Sequence, residues 1–391
     1  MSTLKVDNIR HNSATSDAIT MASDGTCTAK LTSAGGGQLS HRNKARNGEM
    51  KVSQRGTTFS PTTSDTFIID GWMTQHGSAG NLDTTVTQST DAPAGFSKSL
   101  KITPDSTQTP SGSQNGMLAQ RLEGQDFQDL AFGTSDAKTI TVSWYAKTSA
   151  TGAGNYTVKV EYNNGTNNYA VNKLFAFTTT WTRYTYTIPA TGTATSVGIR
   201  DDDQLGFRIE YHLFAGPDDV ASQFTQWTIN PSPTYKVISG QKNFMDNTNN
   251  ELYITGLQIE VGDTATSFEH RSYGEELNRC LRYYWKWGFN SGTTSMGIGM
   301  AWGSGEVDVP VQFPVPMRTA PSISDQGSGA DYYYIEGAGS SHKVDGNWTL
   351  QFGSPYLANI YATPDGSLTA GNAHHITMRN SAAYVAFSAE L

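Results

Sequence analysis

Alternation of apolar and polar side chains is the feature that most restricts what this chain can fold into. Strand-like runs recur between residues 65 and 270, at Phe67-Ile68-Ile69, Leu100 to Ile102, Ile140 to Trp144, Tyr156 to Tyr162 and Tyr184 to Ile188. A period of two sends alternate side chains to opposite faces of a β-strand. The sequence Asn163-Asn164-Gly165, directly after one of these runs, is typical of a hairpin turn. Many short strands separated by turns predict a jelly-roll β-sandwich over residues 65–270.

The composition favours the same fold class and argues against some partners. Charged residues make up only 16% of the 391 residues, and the chain contains 39 glycines and 18 tyrosines. Such a composition favours strands and turns over helices. The net charge of −8 argues against a nucleic-acid partner, because binding phosphates requires a basic surface. No apolar run is long enough for membrane insertion, and the N-terminus lacks the apolar core of a signal peptide, so we expect synthesis in a cytoplasm.

The stretch from Leu252 to Trp287 changes its period partway and marks a boundary. Its first part has apolar side chains at every second position, at Leu257, Ile259 and Val261. The intervening positions are polar, so this part predicts a strand that is buried on one face only. The alternation stops soon after Val261, and the strand is therefore expected to end there.

A short helix is predicted to follow this strand. Ser272 and Glu275 have the spacing of a capping box, and Glu276 adds a second acidic residue near the helix start. Apolar residues then recur at helical spacing, at Leu277, Cys280, Leu281, Tyr284 and Trp285. We interpret the whole stretch as a hinge between two domains.

The chain therefore divides into three predicted parts. Residues 1–64 contain short apolar pieces and a Gly35-Gly36-Gly37 break, and cannot form a core alone, so they are either disordered or ordered against copies of themselves. Residues 65–270 form the central jelly roll. Residues 271–391 hold the linking helix and a smaller β-domain, with alternation at Val307 to Phe313, Trp348 to Phe352 and Val385 to Ala389. Pro310 in the first of these runs predicts an edge strand, because proline cannot donate to a ladder.

Several stretches resemble tail-fibre and related structural proteins of tailed bacteriophages, especially marine and cyanobacterial phages. Leu4 to Leu31 is similar to an N-terminal segment shared among such virion proteins. Asn47 to Thr57, with the sequence NGEMKVSQRGT, resembles the entry to their middle domain. The EVGDTATSFEHRSYGEEL run and the Cys-Leu-Arg-Tyr-Tyr helix of Leu252 to Tyr284 resemble a third recurring stretch. The last hundred residues carry no such resemblance.

The resemblance implies a homotrimeric, non-enzymatic virion protein with a jelly roll similar to carbohydrate-binding modules. Fibres of this kind attach to a phage tail or head protein through their N-terminal part, so the implied docking residues are the apolar ones there, Leu4, Val6, Ile9, Ile19 and Met21. Host surface polysaccharide is the implied ligand. The alternatives are a fibre adaptor or capsid-decorating protein without receptor binding, a free monomeric carbohydrate-binding protein, and a glycan depolymerase.

Aromatic residues are the candidate glycan-binding residues. The apolar face of a pyranose stacks on exposed aromatic rings while nearby polar groups bond its hydroxyls. The candidates are Trp181, Tyr184 and Trp227 in the jelly roll and the run Tyr332, Tyr333 and Tyr334. Aromatic residues at alternating strand positions are more often core residues, but three consecutive ones cannot all face one side of a strand. The tyrosine run is therefore expected to expose at least one ring to a ligand, to solvent or to a neighbouring chain.

Metal binding and catalysis have little support in the sequence. Asp201-Asp202-Asp203 would suit a structural calcium ion, although an acidic surface loop is the commoner meaning of such a run. His374-His375 has no partner at metal-ligand spacing, and Cys27 and Cys280 have no metal or redox spacing. The chain also lacks a nucleophile elbow, a zinc-protease motif and a P-loop. We expect no catalytic residues and no cofactor.

Overall fold

The computed structural model describes most of the chain and divides it into two compact units. The described residues are 6–10, 12, 19–24, 27–29, 41–61, 65–77, 83–190, 198–229, 237–288, 292–327, 329, 331–337, 339–344 and 346–391. The first unit consists of Met1–Glu49, Ser60–Thr66 and Thr74–His270, and the second of Met50–Phe59, Phe67–Met73 and Arg271–Leu391. Strands dominate both units, which confirms the prediction of an all-β protein.

The first unit begins with a small sheet of β1 (Asn8–Ile9), β2 (Ile19–Met21) and β3 (Cys27–Ala29). The next strands along the chain are β4 (Thr58–Phe59), β5 (Thr66–Phe67), β6 (Met73–Gly77), β7 (Thr84–Ser89), β8 (Ser99–Pro104), β9 (Asn115–Glu123), β10 (Ile140–Thr148), β11 (Gly154–Asn163), β12 (Asn168–Phe177), β13 (Thr182–Ile188), β14 (Leu205–Ala215), β15 (Val220–Ala221), β16 (Thr228–Ile229), β17 (Val237–Ile238) and β18 (Leu252–Val261). Within the first unit, one large sheet includes the order β13-β10-β18-β8-β7, and the other includes the order β16-β12-β11-β14-β9-β6.

The core of the first unit lies between these two large sheets. Trp144 on β10 is fully buried and packs edge-on against Phe175 on β12 and Tyr211 on β14, at centroid distances of 4.9 and 5.4 Å. These contacts join the two sheets face to face, as in a sandwich. The predicted hairpin is present, since β11 and β12 pair from Gly154↔Phe177 to Asn163↔Asn168 around the predicted turn.

Strand β18 is buried on both faces, so the prediction of a half-buried strand is wrong. Gln258 is fully buried, and Glu260 is 2% exposed. Thr266 lies over this polar face and donates both its backbone N–H and its hydroxyl to the Glu260 carboxylate. Asn43 accepts the backbone N–H of Ile259 and donates to the carbonyl of Leu257. Polar residues face inward here because neighbouring segments satisfy their hydrogen bonds.

The second unit is a second sandwich with its own core. Its strands are β19 (Tyr284–Gly288), β20 (Thr294–Gly303), β21 (Glu306–Gln312), β22 (Ser322–Gly327), β23 (Tyr333–Gly337), β24 (Ser340–Val344), β25 (Thr349–Gly353), β26 (Leu357–Ala362), β27 (Ala373–Met378) and β28 (Tyr384–Ser388). One sheet has the order β19-β28-β22, and the other has the order β24-β23-β27-β20-β21-β26-β25. Tyr333 joins the two sheets, because its hydroxyl donates to the carbonyl of Tyr384 at 2.7 Å.

Residues just after position 49 belong to this second unit and are held there by polar contacts. Gln54 donates its backbone N–H and its side-chain amide to the buried Asp70 carboxylate, at 2.7 and 2.6 Å. Arg55 pairs with Glu390 at 3.0 Å and covers the ring of Tyr284. The Gln-Arg-Gly sequence within Asn47 to Thr57 therefore contributes to the packing of this unit.

The predicted helix is present but shorter than its apolar spacing suggested. Helix α1 spans Tyr273–Leu281, and the Ser272 hydroxyl accepts the backbone N–H of Glu275 as the capping box predicted. Tyr284 and Trp285 lie in strand β19 and pair with β28, so their assignment to the helix was wrong. Their aromatic neighbours favour a strand, and a helix ending at Leu281 leaves them free to join a ladder.

Pro310 does not lie in an edge strand, contrary to the sequence prediction. Strand β21 lies between β20 and β26, and pairs with β26 along its length from Val307 to Gln312. Its pairing with β20 covers only Glu306 to Asp308, so Pro310 lies beyond that ladder. Proline is tolerated because no bond to β20 is required at this position.

Replacing Trp144 with alanine is expected to destabilise the protein strongly. The loss of a fully buried tryptophan leaves a cavity between the two sheets and costs about 3–5 kcal/mol of unfolding free energy. Urea unfolding followed by circular dichroism measures the change. Trp302→Ala is the matched control, because Trp302 is 71% exposed and its loss opens no core cavity. Equal losses for both variants would contradict this placement of the core.

Candidate functional site

An exposed face of the larger sheet in the second unit carries the most site-like arrangement of side chains. Met300 on β20 pairs with Asp308 on β21, and Pro310 pairs with Asn359 on β26. Paired residues on neighbouring strands share a face of the sheet. The register therefore brings the apolar Met300 and Pro310 and the polar Asp308 and Asn359 onto one surface of the sheet. The other surface of the sheet covers the core.

Two aromatic side chains stand out on this surface. Trp302 is 71% exposed and Phe352 is 68% exposed. In β25 the register shifts between Leu350 and Phe352, so the alternation that starts at the buried Trp348 is broken before Phe352. A β-bulge of this kind turns the following side chain to the other face of the sheet. The exposure of Phe352 is thus built into the strand.

The surface is concave and encloses a groove of about 690 Å³, which we call the aromatic groove. Its apolar lining includes Ile298, Met300, Trp302, Pro310 and Phe352, and its polar lining consists of Asp308, Gln351 and Asn359. The Asn359 amide donates to the Gln351 carbonyl at 2.7 Å. Oxygen Oδ1 of Asp308 is buried and has no hydrogen-bond partner in the part of the chain that the structure describes.

This arrangement suits a sugar ring. The apolar face of a pyranose packs on an aromatic face, and the planar carboxyl and amide groups offer fixed hydrogen-bond directions to its hydroxyls. A concave, mostly apolar site with a few polar groups is the usual form of a small-ligand site. Asp308 also lines the groove with a carboxyl group, which accepts hydrogen bonds from the donors of a ligand.

The predicted jelly-roll residues lie elsewhere and are engaged in packing contacts. Trp181 is half-buried and donates its indole N–H to Asp91 at 3.0 Å. Trp227 donates to the carbonyl of Pro189 at 2.9 Å, and its ring packs edge-on against Tyr162. Tyr184 is half-buried, and its hydroxyl donates to a backbone carbonyl. The structure does not bring these three predicted glycan-binding residues together in a groove.

The tyrosine run is divided between the two sides of the sheet. Tyr333 is fully buried, which leaves no face of its ring for a ligand. Tyr332 packs against the core of the second unit, and Tyr334 donates its hydroxyl to Asp331 while Arg379 lies over its ring at 4.2 Å. Tyr334 is thus the member of the run that faces away from the core, and its ring is already covered on one face.

Four of the five predicted docking residues lie in the small N-terminal sheet or just before it. Val6, Ile9 and Met21 are exposed, and Ile19 is half-buried and pairs with Ile9 across β1 and β2. Leu4 lies outside the described residues. Exposed apolar side chains on a small sheet are compatible with docking on another protein, and their role stays a prediction.

Three of the candidate metal ligands, Asp202, Asp203 and His375, are engaged in other contacts. Arg200 binds Asp202 through two nitrogens, at 2.6 and 2.7 Å, and this hydrogen bonding lowers the pKa of Asp202. Asp203 accepts the side-chain amide of Gln204. His374 is buried, whereas His375 faces the opposite side and bonds Ser295. Within the described ranges, no group of three or more His, Cys, Asp or Glu side chains could hold a metal ion.

The described residues contain no helix that is long and apolar enough to span a bilayer.

Cys280 is a buried free thiol, and the side chain of Cys27 lies outside what the structure describes. Glu275 and Glu276 lie in the first turn of α1, where their negative charges complement the helix dipole.

A buried charge network lies on strands β11 and β14 of the first unit. Register places Lys159 opposite Glu210 and Glu161 opposite Arg208. Arg208 contacts both carboxylates at 2.8 Å, and Lys159 contacts them at 2.8 and 3.3 Å. His212 bonds Glu210 at 3.1 Å. Two cations and two carboxylates balance one another, so the network is a packed, self-neutralising group, beside a small cavity of about 130 Å³.

The pKa values of Glu210 and His212 are both lower in the folded protein than their ordinary values. Acid therefore destabilises the folded state through both groups. Burial acts to raise the pKa of Glu210, but Arg208 and Lys159 together outweigh it and hold the pKa well below 4.5. Burial lowers the pKa of His212 below 6.5, and the contact with Glu210 only partly offsets this. The unfolded chain therefore binds protons at both groups more readily than the folded protein does.

Acidification is expected to destabilise the protein in two steps, the first of which depends on His212. Because the folded pKa of His212 is depressed, the free energy of unfolding decreases as the pH falls below about 6.5. The Glu210 contribution is present above 4.5 and is lost as the pH falls through its lowered folded value. His212→Gln should flatten the pH dependence of urea unfolding between pH 7 and pH 5.

The exposed His375 provides the control for this experiment, since His375→Gln removes a histidine from the surface. That variant should keep the slope of the unmodified protein. An unchanged slope in His212→Gln would show that burial of His212 does not govern acid stability.

Neither a protein-family model nor a curated protein matches the sequence. Among solved structures, the chain is similar to the enzymatically active domain of tailspike protein 4 of bacteriophage CBA120, with 10% identity and a TM-score of 0.30 over 56% of this chain and 21% of that chain. It is also similar to a xylan-binding domain from Paenibacillus barcinonensis (14% identity, TM-score 0.26, 53% of this chain and 94% of that chain). A third similar structure is a family 11 carbohydrate-binding module from Clostridium thermocellum, with 10% identity and a TM-score of 0.26 over 54% of this chain and 96% of that chain.

The chain thus spans about a fifth of the tailspike protein that it matches. At these identities and TM-scores the likeness carries no argument about activity or ligand.

Proposed function

We propose that the protein is a glycan-binding protein and that the aromatic groove of the second unit is its binding site. The observation that carries this proposal is the pairing of two exposed aromatic rings, Trp302 and Phe352, with three polar side chains in one groove of about 690 Å³. Large apolar side chains this exposed are typical of interaction sites. The polar lining favours a hydroxylated ligand over a purely apolar one.

In its finer form, the proposal is a trimeric, non-enzymatic tail fibre of a phage virion. The support is the sequence resemblance of Leu4 to Leu31, Asn47 to Thr57 and Leu252 to Tyr284 to such proteins. The N-terminal part would dock on a tail or head protein, and the aromatic groove would contact host surface polysaccharide. Three weak sites on one trimer raise avidity without new contacts. A fibre adaptor, a capsid-decorating protein or a free monomer remain the alternatives that the oligomeric state and binding data distinguish.

Removing either aromatic ring is expected to weaken glycan binding without loss of fold. Trp302→Ala and Phe352→Ala should each weaken binding to a matching polysaccharide at least about tenfold, as removal of a central aromatic contact does. Affinity electrophoresis in gels containing polysaccharides from candidate host cells measures this loss. Trp181→Ala is the matched control, since Trp181 is a half-buried tryptophan of the first unit and should leave binding unchanged.

The result also separates a glycan site from a contact between chains. Trp302→Ala should leave the mass of the protein in solution unchanged. If this variant instead lowers the mass while glycan binding is absent throughout, the aromatic face is a subunit interface and the proposed function is wrong.

The full-length protein is expected to sediment as three chains. A version lacking residues 1–40 tests whether the N-terminal part holds the trimer together. The truncation stops before Asn43, because Asn43 and the following residues bond strand β18 and their removal would damage the first unit. A trimer that survives truncation places the contacts in the two β-units, and a full-length monomer would contradict the fibre proposal.

A further inference from the structure

The charge of the aromatic groove has one sign. Asp308 is the only acidic side chain among the groove residues, and none of them is lysine, arginine or histidine. Asp308 is half-buried, and one of its two carboxyl oxygens is buried. The groove therefore offers a carboxyl group with no cation among the described lining residues.

Three features of the groove favour a cation in that place. A charge-assisted hydrogen bond to a carboxylate is roughly twice as strong as a neutral one. The faces of aromatic rings attract ammonium groups, and Trp302 and Phe352 offer two such faces. An acidic sugar, by contrast, would place a second negative charge near Asp308 with no lining cation to offset it. A neutral hydroxyl would also donate to the carboxylate, but without the attraction between two opposite charges.

We propose that the sugar bound in the aromatic groove is an amino sugar with a free, protonated amine. Its ammonium group donates to Asp308, and the apolar face of its ring packs on Trp302 or Phe352. Gln351 and Asn359 bond the hydroxyls. This inference rests on the proposed function and adds the class of glycan, with Asp308 as the residue that determines specificity.

The test compares two ligands with the same backbone. Isothermal titration calorimetry at constant pH measures the dissociation constants of a glucosamine oligomer and of its fully N-acetylated counterpart, with the full-length protein. The free-amine oligomer should bind about tenfold more tightly, because an ammonium–carboxylate ion pair takes the place of a hydrogen bond from a neutral donor. Asp308→Asn should bring the two dissociation constants close together by weakening the free-amine oligomer alone.

A control for non-specific attraction is essential, because the protein carries a net charge of −8. Glu306→Gln removes one negative charge from the same strand β21 at a position outside the groove lining. It should keep the preference for the free amine. Loss of the preference in Glu306→Gln to the same extent as in Asp308→Asn would show that general charge attraction, and not the groove, causes it.

The remaining outcomes separate this inference from the proposed function. If neutral or N-acetylated oligosaccharides bind as tightly as the free amine and require Trp302, the amino-sugar inference is overturned and glycan binding stands. If no oligosaccharide binding depends on Trp302, both fall. The comparison of the two ligands on the unmodified protein decides the inference even if Asp308→Asn does not fold.

Discussion

Every strand presents two faces, and that constraint governs both units of this protein. A strand in a sandwich buries one face in the core, so the side chains of its other face have to be covered by additional chain or left to solvent or a partner. Strand β18 shows the first solution, since Asn43 and Thr266 satisfy its backbone and its polar side chains. Strands β20 and β21 show the second, since their outward face carries Met300 and Trp302 without any cover from the described residues of the second unit.

The uncovered face is costly to maintain unless it has a partner. Burying apolar surface stabilises a folded protein by about 25 cal/mol for each Å², and a side chain that stays exposed does not contribute this stabilisation. Trp302 and Phe352 both forgo that stabilisation, although Trp285 and Trp348 of the same unit pack in or against its core. The polar side chains in the lining show which kind of partner suits this face. A carboxyl group in the lining does not suit a purely apolar partner, whereas a hydroxylated or amine-bearing ligand can donate to Asp308.

Much of the fold could be predicted from local pattern. The strands around Ile140, Tyr156 and Tyr184, the turn after Asn163 and the cap at Ser272 all depend on neighbours within a few residues, and the structure contains each of them. Pairings over long sequence distances could not be predicted. Asn43 forms hydrogen bonds to strand β18, more than 200 residues away in the sequence. The sequence around Asn43 contains no pattern that predicts this contact.

The groove was missed because its pattern resembles that of a core strand. Large residues at Ile298, Met300 and Trp302 alternate with the small residues Gly299 and Ala301. Period-two reasoning sends the large ones inward, but here the small ones face the core. A side chain at Gly299 would come within 3.1 Å of both Val307 and Ile376, so no room exists on that side. Phe352 was misplaced for another reason, since the bulge before it reverses the alternation and has no local signature.

A crystal structure of the full-length protein with its tightest-binding oligosaccharide tests the central claim most directly. The account predicts a sugar ring stacked on Trp302 or Phe352, with a donor of the sugar within hydrogen-bond distance of the Asp308 carboxyl group. A sugar bound instead at Trp181 on the first unit, or a groove filled by a second copy of the chain, would contradict it.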